Sequence, residues 1–323
     1  MGTRYLWRRI LQAILTILGI VLLNFVLFRV MPGSPDRISH NPNASVEARA
    51  ALRERWGLDK PLFPNQFVDY VAATVQGDFG DSFKFKGKEV TEVISGRIMP
   101  TLILFGLGEL IAITVGLVLG AYSGWRRGGP VDYAGNGLSL ILYSMPYFLL
   151  GMILLVIFAT TLGWFPTSGM FTLGLTYASF ADQLADFLRH LALPLAAVSL
   201  GLIGQYSILM RSSVIETRGE DYVTTAKAKG ISESKILRSH AVPNALLPTV
   251  SLIGINLGFI IAGAITVEVV FSWPGLGTLT QEALEARDYP LLQGIFFILA
   301  ITVVLANLLA DIVYGRLDPR VRT

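Results

Sequence analysis

Six long apolar segments alternate with polar connections along the chain. A helix needs about 20 apolar residues to cross a hydrocarbon core about 30 Å thick, and each of these segments is long enough. The pattern therefore predicts an all-α integral membrane protein with six transmembrane helices. Pro146 interrupts the third segment, and Pro248 lies near the start of the fifth. The predicted spans are Ile10–Val30, Leu102–Tyr122, Leu138–Leu162, Leu191–Met210, Leu246–Phe271 and Leu291–Tyr314.

The basic residues of the connections predict how the helices are oriented. Lys and Arg concentrate in the N-terminus, the second-to-third connection, the fourth-to-fifth connection and the C-terminal tail. Because such residues stay on the cytoplasmic side, both termini are predicted to lie inside and the long connection after the first helix outside. The chain then divides into an inner N-terminus with the first span (1–30), an extracytoplasmic loop (31–100), a transmembrane core (101–314) with a cytoplasmic loop at 211–247, and a cytoplasmic tail (315–323).

Composition agrees with a membrane protein and narrows the chemistry. Of the 323 residues, 53% are hydrophobic and only 15% are charged, which is too apolar for an ordinary soluble domain. The net charge of +3 is modest, so no nucleic-acid partner is predicted. The chain has no cysteine, which excludes disulfides, thiolate metal sites and a thiol nucleophile.

Few residues suggest a reaction site. The three histidines, His40, His190 and His240, lack metal-ligand spacing, so no metal site is predicted. No phosphate-binding glycine loop occurs, and a nucleotide that drives this protein must therefore bind to another chain.

Polar groups inside the apolar segments are the candidates for a translocation path, because each is costly unless it faces water or a partner. A proton-coupled carrier could use a carboxyl at the position of Glu109, but a carboxyl bonded to a neighbouring helix is an equally good interpretation. The path candidates are Glu109, Asn256 and Glu268.

Small residues repeat at intervals of four in two of the predicted spans. Such spacing makes a flat helix face on which another backbone can lie close. The candidate packing residues are Gly116, Gly120 and Gly124 in the second span and Gly254 and Gly258 in the fifth.

The fourth-to-fifth connection predicts two short amphipathic helices joined at Gly230. Gly230 is placed to end the first helix in a left-handed conformation, and Ser232 to cap the second. Ile231 and Ile236 occupy the positions of a hydrophobic staple, and Pro243 is expected to stop the second helix. The apolar faces could lie on the lipid surface, but their small aliphatic residues suit a groove in a protein better.

This connection, TTAKAKGISESKILRSHAVPNALLP, resembles the coupling loop of ATP-binding-cassette importer permeases, whose motif is EAA-x3-G-x9-I-x-LP. Thr224, Thr225 and Ala226 stand at the EAA positions, and Gly230 stands at the glycine. Further blocks along the chain resemble the dipeptide, oligopeptide and nickel permease family, in its first-permease subtype. They are GLDKPLFPNQF, GDFGDSF, SMPYFLLG, VEVVFSWPGLG, ARDYPLLQG and the terminal LDPRVR.

The resemblance implies a permease of the bacterial plasma membrane that takes up peptides, and not an enzyme. It implies a homologous second permease, two cytoplasmic ATPases that bind ATP and Mg, and an extracytoplasmic solute-binding protein, with lipid around the spans and no cofactor in this chain. Nickel chelates or other small solutes are alternative cargoes, and an ion-coupled carrier and a membrane enzyme are the other classes considered. The residues expected to couple to the ATPases are Tyr222, Thr225, Ala226, Lys227, Gly230, Ser232, Ile236, Leu237 and Pro243.

Overall fold

A computed structural model describes residues 3–29, 60–259 and 265–317, and in these ranges the fold is helical with one isolated β-bridge between Asp81 and Glu89. The first two helices are α1 (Thr3–Arg29) and α2 (Phe67–Gln76). The central helices are α3 (Val90–Trp125), α4 (Pro130–Ser144), α5 (Tyr147–Leu154) and α6 (Phe180–Arg218). The remaining helices are α7 (Asp221–Ala228), α8 (Glu233–Ile236), α9 (Val242–Phe259), α10 (Ile265–Val270), α11 (Leu276–Ala286) and α12 (Tyr289–Leu317). Short π-helical stretches lie at Leu62–Gln66, Leu155–Thr161 and Leu237–Ala241.

Four described helices are long and apolar enough to cross a membrane. They correspond to the first, second, fourth and sixth predicted spans, and the fold is therefore that of a multi-pass helical membrane protein. The four stretches are Trp7–Phe28, Val90–Trp125, Phe180–Arg218 and Tyr289–Leu309.

The third predicted span is not one helix. α4 and the helix formed by α5 with Leu155–Thr161 meet at an angle of 102°, so they form either one broken span or a re-entrant loop. Met145, at the break, has an extended backbone (φ −89°, ψ 127°), because the ring of Pro146 disfavours a helical conformation in the residue before it. The predicted span Leu138–Leu162 is thus interrupted at Pro146, as the sequence indicates, and consists of two helices.

The fifth predicted span corresponds to α9 and α10, with residues 260–264 between them outside the described part. α8, the π-helical stretch and α9 follow one another as a continuous helix from Glu233 to Phe259. Pro243 therefore does not stop the helix, contrary to the prediction. The N–H of Val242 bonds to the carbonyl of Leu237, and this wider turn accommodates the missing N–H of the proline that follows.

α3 and α6 form the most extensive helix pair among the described elements. Three of the glycines of α3, Gly116, Gly120 and Gly124, lie directly against α6. A Cβ atom at Gly116 would lie 2.7 Å from Tyr206 Cβ, one at Gly124 would lie 2.6 Å from the carbonyl oxygen of Arg211, and one at Gly120 would collide with Ser207. The contact that the glycine spacing predicts is thus made within this chain. Gly254 is buried in α9, whereas the surroundings of Gly258 lie outside the described part.

The predicted outer loop is described only from residue 60, so its first part, including residues 31–59, lies outside the described residues. α2 packs on α1 through Tyr70, whose ring centroid is 5.5 Å from that of Phe25. Val90 and Ile94, at the start of α3, pack with residues of α11 and α12. This end of α3 is called the Val90 end below, and the other is called the Trp125 end.

Candidate functional site

The connection between α6 and α9, residues 219–241, is called the insert. Gly230 has φ +74°, which confirms the predicted left-handed turn between its two helices. Ser232 is the residue before α8, but its side chain makes no capping hydrogen bond, so the prediction of a hydroxyl cap is wrong. The turn is held instead by backbone bonds, from the N–H of Gly230 to Lys227 and from the N–H of Ile231 to Ala226.

The apolar face of the insert is covered by this chain itself. Val223, Ala226, Ile236 and Leu237 are buried in one cluster with side chains of α3 and α6. The residues that α3 and α6 contribute are Ala121, Trp125, Met210 and Val214. The expectation that this face fits a groove in a partner is therefore corrected. A side chain buried inside its own chain cannot also line an external contact, so Ala226, Ile236 and Leu237 position the insert.

Other residues of the predicted coupling set remain accessible. Tyr222, Thr225 and Lys227 on α7, Gly230 and Ser232 at the turn, and Pro243 at the start of α9 are exposed. Lys229, Lys235 and Arg238 are exposed as well, together with the acidic Glu220, Asp221 and Glu233, so this surface carries many charges of both signs. We call the exposed surface of the insert, together with the adjacent Pro243, the outer face of the insert. It is supported from behind by the buried cluster, so its shape is set by packing rather than by a free loop.

Two of the three path candidates meet through a residue that the sequence did not single out. The hydroxyl of Tyr206, in α6, donates to Oε1 of Glu109, in α3. Nδ2 of Asn256, in α9, donates to the same hydroxyl oxygen at 3.0 Å and to Oε1 of Gln205 at 3.2 Å. These four residues are called the polar cluster, and they join α3, α6 and α9 inside the apolar region.

Burial gives the polar cluster its chemical interest. Glu109 is 3% exposed, and its Oε2 has no hydrogen-bond partner among the described residues. An unpaired oxygen in such a place is costly, and groups of this kind are concentrated at functional sites. The adjacent polar pair Gln205-Tyr206 within an apolar span was the signal available in the sequence. Its importance becomes apparent only when α3 and α6 are placed side by side.

Glu268, the third path candidate, lies elsewhere and has a different environment. Its Oε1 accepts from the hydroxyl of Thr101 at 2.6 Å, and its Oε2 accepts from the N–H of Gly277 at 2.7 Å and of Thr278 at 3.1 Å. The carboxyl thus satisfies the N–H groups of the second and third residues of α11 while it ties that helix to α3 through Thr101. A Cβ on Gly275 would collide with this carboxyl. The structure does not bring Glu268 together with Glu109 and Asn256.

A second buried carboxylate holds the segment before α3. Asp288 accepts from the hydroxyl of Ser82 at 2.5 Å, from the N–H of Lys84 at 3.0 Å and from the N–H of Leu291 at 3.1 Å. Lys84 also pairs with Glu282 at 2.8 Å. The sequence blocks GDFGDSF and ARDYPLLQG, about 200 residues apart, are therefore two halves of one contact.

At the Trp125 end, an ion pair fixes α4 against α6. Arg211 donates to both oxygens of Asp132, at 2.6 and 3.0 Å, and Ser123 of α3 donates to the same carboxylate at 2.9 Å. A bidentate pair of this kind is directional as well as strong. The ends of three helices are thereby held together next to the insert.

Sequence comparison places this helical chain among transport proteins. Residues 116–323 match the family described as "Binding-protein-dependent transport system inner membrane component", and residues 2–103 match the corresponding N-terminal family. A peptide permease protein of Brucella suis biovar 1 is 39% identical over 99% of both chains. The oligopeptide transport system permease protein AppB of Bacillus subtilis is 35% identical over 98% of both. The glutathione transport system permease protein GsiC of Salmonella typhimurium is 35% identical over 98% of both.

The fold has a counterpart among solved structures. A chain of the MetNI methionine ABC transporter, solved in an inward-facing conformation, superposes with a TM-score of 0.57. The match covers 70% of this chain and 96% of that one, with 15% sequence identity. At that identity the likeness concerns the fold alone.

Proposed function

Because the chain belongs to the family of binding-protein-dependent transport system inner membrane components, we propose that it is the permease through which an ATP-driven importer takes up peptides. It is a multi-pass protein of the plasma membrane and a permease subunit of an ABC importer. The proposal of di- or oligopeptide cargo is supported by relatives that are named peptide, oligopeptide and glutathione permeases.

The proposed machine contains a homologous second permease, two cytoplasmic ATPases and an extracytoplasmic solute-binding protein. ATP and Mg bind to the ATPases, because the chain has no phosphate-binding loop. Both termini and the insert are proposed to lie inside, and residues 60–89 outside, as the distribution of basic residues favours.

The observation that carries the proposal is the outer face of the insert. Its exposed residues are supported by a buried apolar cluster, and the helix that leaves the insert continues without a break into α9. A surface of this kind can receive a displacement from an ATPase and pass it to a membrane-spanning helix, which a free loop could not do. Tyr222, Thr225, Gly230, Ser232 and Pro243 are proposed to line or shape that surface, whereas the ammonium group of Lys227 lies over the ring of Trp125.

The polar cluster supports a proposal for the path. Glu109 and Asn256 lie on different helices and share Tyr206, so a relative movement of α3, α6 and α9 changes the cluster. We place the cargo path beside this cluster. Glu268 is assigned to the fold, since its carboxyl is fully used in holding α11.

A docking variant tests the coupling role. Thr225→Trp places a bulky side chain on the outer face of the insert, and Lys86→Trp places the same side chain on an exposed position before α3. We expect Thr225→Trp to reduce co-purification of the ATPases and uptake by the reconstituted complex, and Lys86→Trp to leave co-purification unchanged. Equal ATPase recovery with both variants would contradict docking at the insert.

The identity of the cargo is tested with the complete complex reconstituted in lipid vesicles. With the purified solute-binding protein outside and ATP inside, labelled di- and tetrapeptides should accumulate, and an excess of unlabelled peptide should compete. Accumulation of a nickel chelate but of no peptide would assign the alternative cargo of this family. Uptake by this chain alone under an ion gradient would instead indicate an ion-coupled carrier.

A further inference from the structure

Trp125 is the last residue of α3, and it lies directly behind the insert. Its ring is buried in the cluster that covers Val223 and Ala226 of α7. The same residue therefore touches the insert through its side chain and belongs to a membrane-spanning helix through its backbone. This position is unusual, since the other contacts of the insert in that cluster are made by smaller or flexible aliphatic side chains.

Two cations from different elements converge on Trp125. Nζ of Lys227, on α7, lies 5.5 Å from the centroid of a ring of Trp125, and Cζ of Arg218, at the end of α6, lies 5.8 Å from it. Nη1 of Arg218 also donates to the carbonyl oxygen of Trp125 at 2.9 Å. Cations within about 6 Å of an indole face are attracted to it, and a cation at a helix C-terminus satisfies a carbonyl that lacks an intrahelical partner.

The contacts of Trp125 differ from those of a tryptophan that anchors a helix at the membrane surface. Tryptophans that anchor a helix at the membrane surface present the ring to the headgroups. Trp7 has such an exposed position, with 71% of its surface accessible, whereas Trp125 is 7% exposed. The ring of Trp125 is thus occupied by protein on nearly all sides.

The insert is connected to the membrane-spanning helices at its two ends by the chain and at its side by packing. Gly219 and Glu220 join its first helix to α6, and α8 continues through the π-helical stretch into α9. The packing of α7 on Trp125 leads into α3.

Gly116, Gly120 and Gly124, which we call the glycine face of α3, pack closely on α6. A displacement of Trp125 therefore moves both helices. The connections through α9 and through the α3–α6 pair meet again at the polar cluster, where Asn256 of α9 bonds to Tyr206 of α6.

We propose that Trp125 is a positioning residue for transport, which makes α3 and α6 follow the insert when the ATPases move it. This inference rests on the proposed function. With Trp125 in place, displacement of the insert reaches α9 and the α3–α6 pair together, and the geometry of the polar cluster changes in a defined way. Without the indole, α9 still follows the insert because the two form one continuous helix, but the two-residue connection at Gly219 and Glu220 lets the insert pivot on α6, so α3 and α6 lag behind it.

The test uses the complete complex, in nanodiscs, with both permeases, both ATPases and the solute-binding protein. Trp125→Leu removes the aromatic face but keeps an apolar side chain, Trp125→Phe keeps a face, and Trp7→Leu is the matched control. Loss of a cation–aromatic contact corresponds to a change of about fivefold in an equilibrium. We expect binding-protein-stimulated ATP hydrolysis and uptake to fall by about that factor in Trp125→Leu. Basal hydrolysis and ATPase co-purification should be unchanged, and Trp125→Phe should restore most of the loss.

A second variant separates transmission from simple packing. Lys227→Met keeps the apolar stem on Trp125 and removes the cation, and it should lower stimulated hydrolysis in the same direction while the ATPases still co-purify. The double variant with Trp125→Leu should be no worse than Trp125→Leu alone, because both changes remove the same contact. Additive losses would place Lys227 in direct contact with the ATPases and overturn its role here.

Two results would overturn the inference, and a third would have a different meaning. Stimulation and uptake within twofold of wild type in Trp125→Leu would show that α9 alone transmits the movement. Loss of ATPase co-purification in Trp125→Leu would show that Trp125 serves only to shape the docking surface. Failure of the wild-type chain to bind any ATPase would instead overturn the proposed function, and the inference with it.

Discussion

α3 holds α11 at its Val90 end and the insert at its Trp125 end by different physical means. At the Val90 end, α11 and the segment around Ser82 are held by buried carboxylates, Glu268 and Asp288, which accept hydrogen bonds from backbone N–H groups and hydroxyls. At the Trp125 end, the insert is held by small aliphatic side chains and by cations that lie over an indole ring. The first kind of contact is directional, and the second is not.

This difference indicates which neighbour can move. A hydrogen bond weakens steeply when donor and acceptor lose alignment, so α11 cannot shift on α3 without breaking several bonds at once. Apolar packing and a cation over a ring keep most of their energy during a small displacement, because neither depends strongly on angle. The contact between α3 and the insert is therefore suited to a part that is pushed, and the contact between α3 and α11 is suited to a fixed frame.

The largest expected effect is the presence or absence of labelling. It tests on which side of the membrane the segment before α3 and the insert lie. Because the chain has no native cysteine, Lys86→Cys and Ser232→Cys, both at exposed positions, give single labelling sites. An impermeant maleimide on intact cells should label Lys86→Cys and should label Ser232→Cys only after permeabilisation. The opposite pattern would reverse the orientation and exclude cytoplasmic docking at the insert.

A charge inside the apolar cluster should have the largest effect on stability. Ala226→Asp would place a carboxylate among Val223, Ile236 and Leu237, and an uncompensated buried charge costs about 3–5 kcal/mol. Thr225→Asp, one residue away and exposed, should change the free energy of unfolding by no more than about 0.5 kcal/mol. SDS titration of the purified chains measures both. Similar losses in the two variants would contradict the burial of this face.

Removing a carboxylate at the Val90 end should cost slightly less. Glu268→Ala leaves the hydroxyl of Thr101 and two N–H groups of α11 without an acceptor, a loss of about 3 kcal/mol in the free energy of unfolding. Gly275→Ala should also destabilise the chain, since its methyl group meets the same carboxyl. The same titration applies, and a neutral Glu268→Ala would show that these bonds do not hold α11.

The glycine face lies between the two ends of α3, and adding even one methyl group there should destabilise the protein. Gly120→Ala should cost about 1–3 kcal/mol, the range for overpacking, because its Cβ collides with Ser207 and lies 2.8 Å from Met210 Cβ. Gly106, on the same helix, has open space where a methyl group would lie, with no neighbouring atom within 4 Å, so Gly106→Ala is the control and should be neutral or slightly stabilising. Equal melting temperatures of the two variants would indicate that α3 and α6 separate easily.

The smallest effect is expected at the turn of the insert. Gly230→Val forces a β-branched residue to φ +74°, at a cost of about 1 kcal/mol or more, although no atom lies within 4 Å of the new Cβ. Gly230→Asn should cost less, since asparagine adopts this conformation more readily. Membrane insertion should survive both changes, and stimulated ATP hydrolysis should fall more for valine. Identical behaviour of the two variants would mean that the turn can rearrange without consequence.

Local features were predictable where a few neighbouring residues decide them. The left-handed Gly230 follows from its place after an apolar helical stripe, and the four long apolar helices follow from the length of the apolar runs. The close approach of α3 and α6 follows from glycine spacing, because a missing side chain is a local property. The two prolines show the limit of such reasoning. Pro146 separates two helices, whereas Pro243 is accommodated by a π-helical turn, and the surroundings of each decide between these outcomes.

The sequence by itself determined that this protein is a helical membrane component with an amphipathic insert between two of its apolar segments. Only the tertiary structure decided that the apolar face of the insert is buried on α3 and α6, that Tyr206 joins Glu109 to Asn256, and that Glu268 holds a helix end. The reason is physical. Hydrophobic burial has no direction and is satisfied equally by a partner or by the same chain, and a buried polar group takes whichever acceptor or donor the packing brings near.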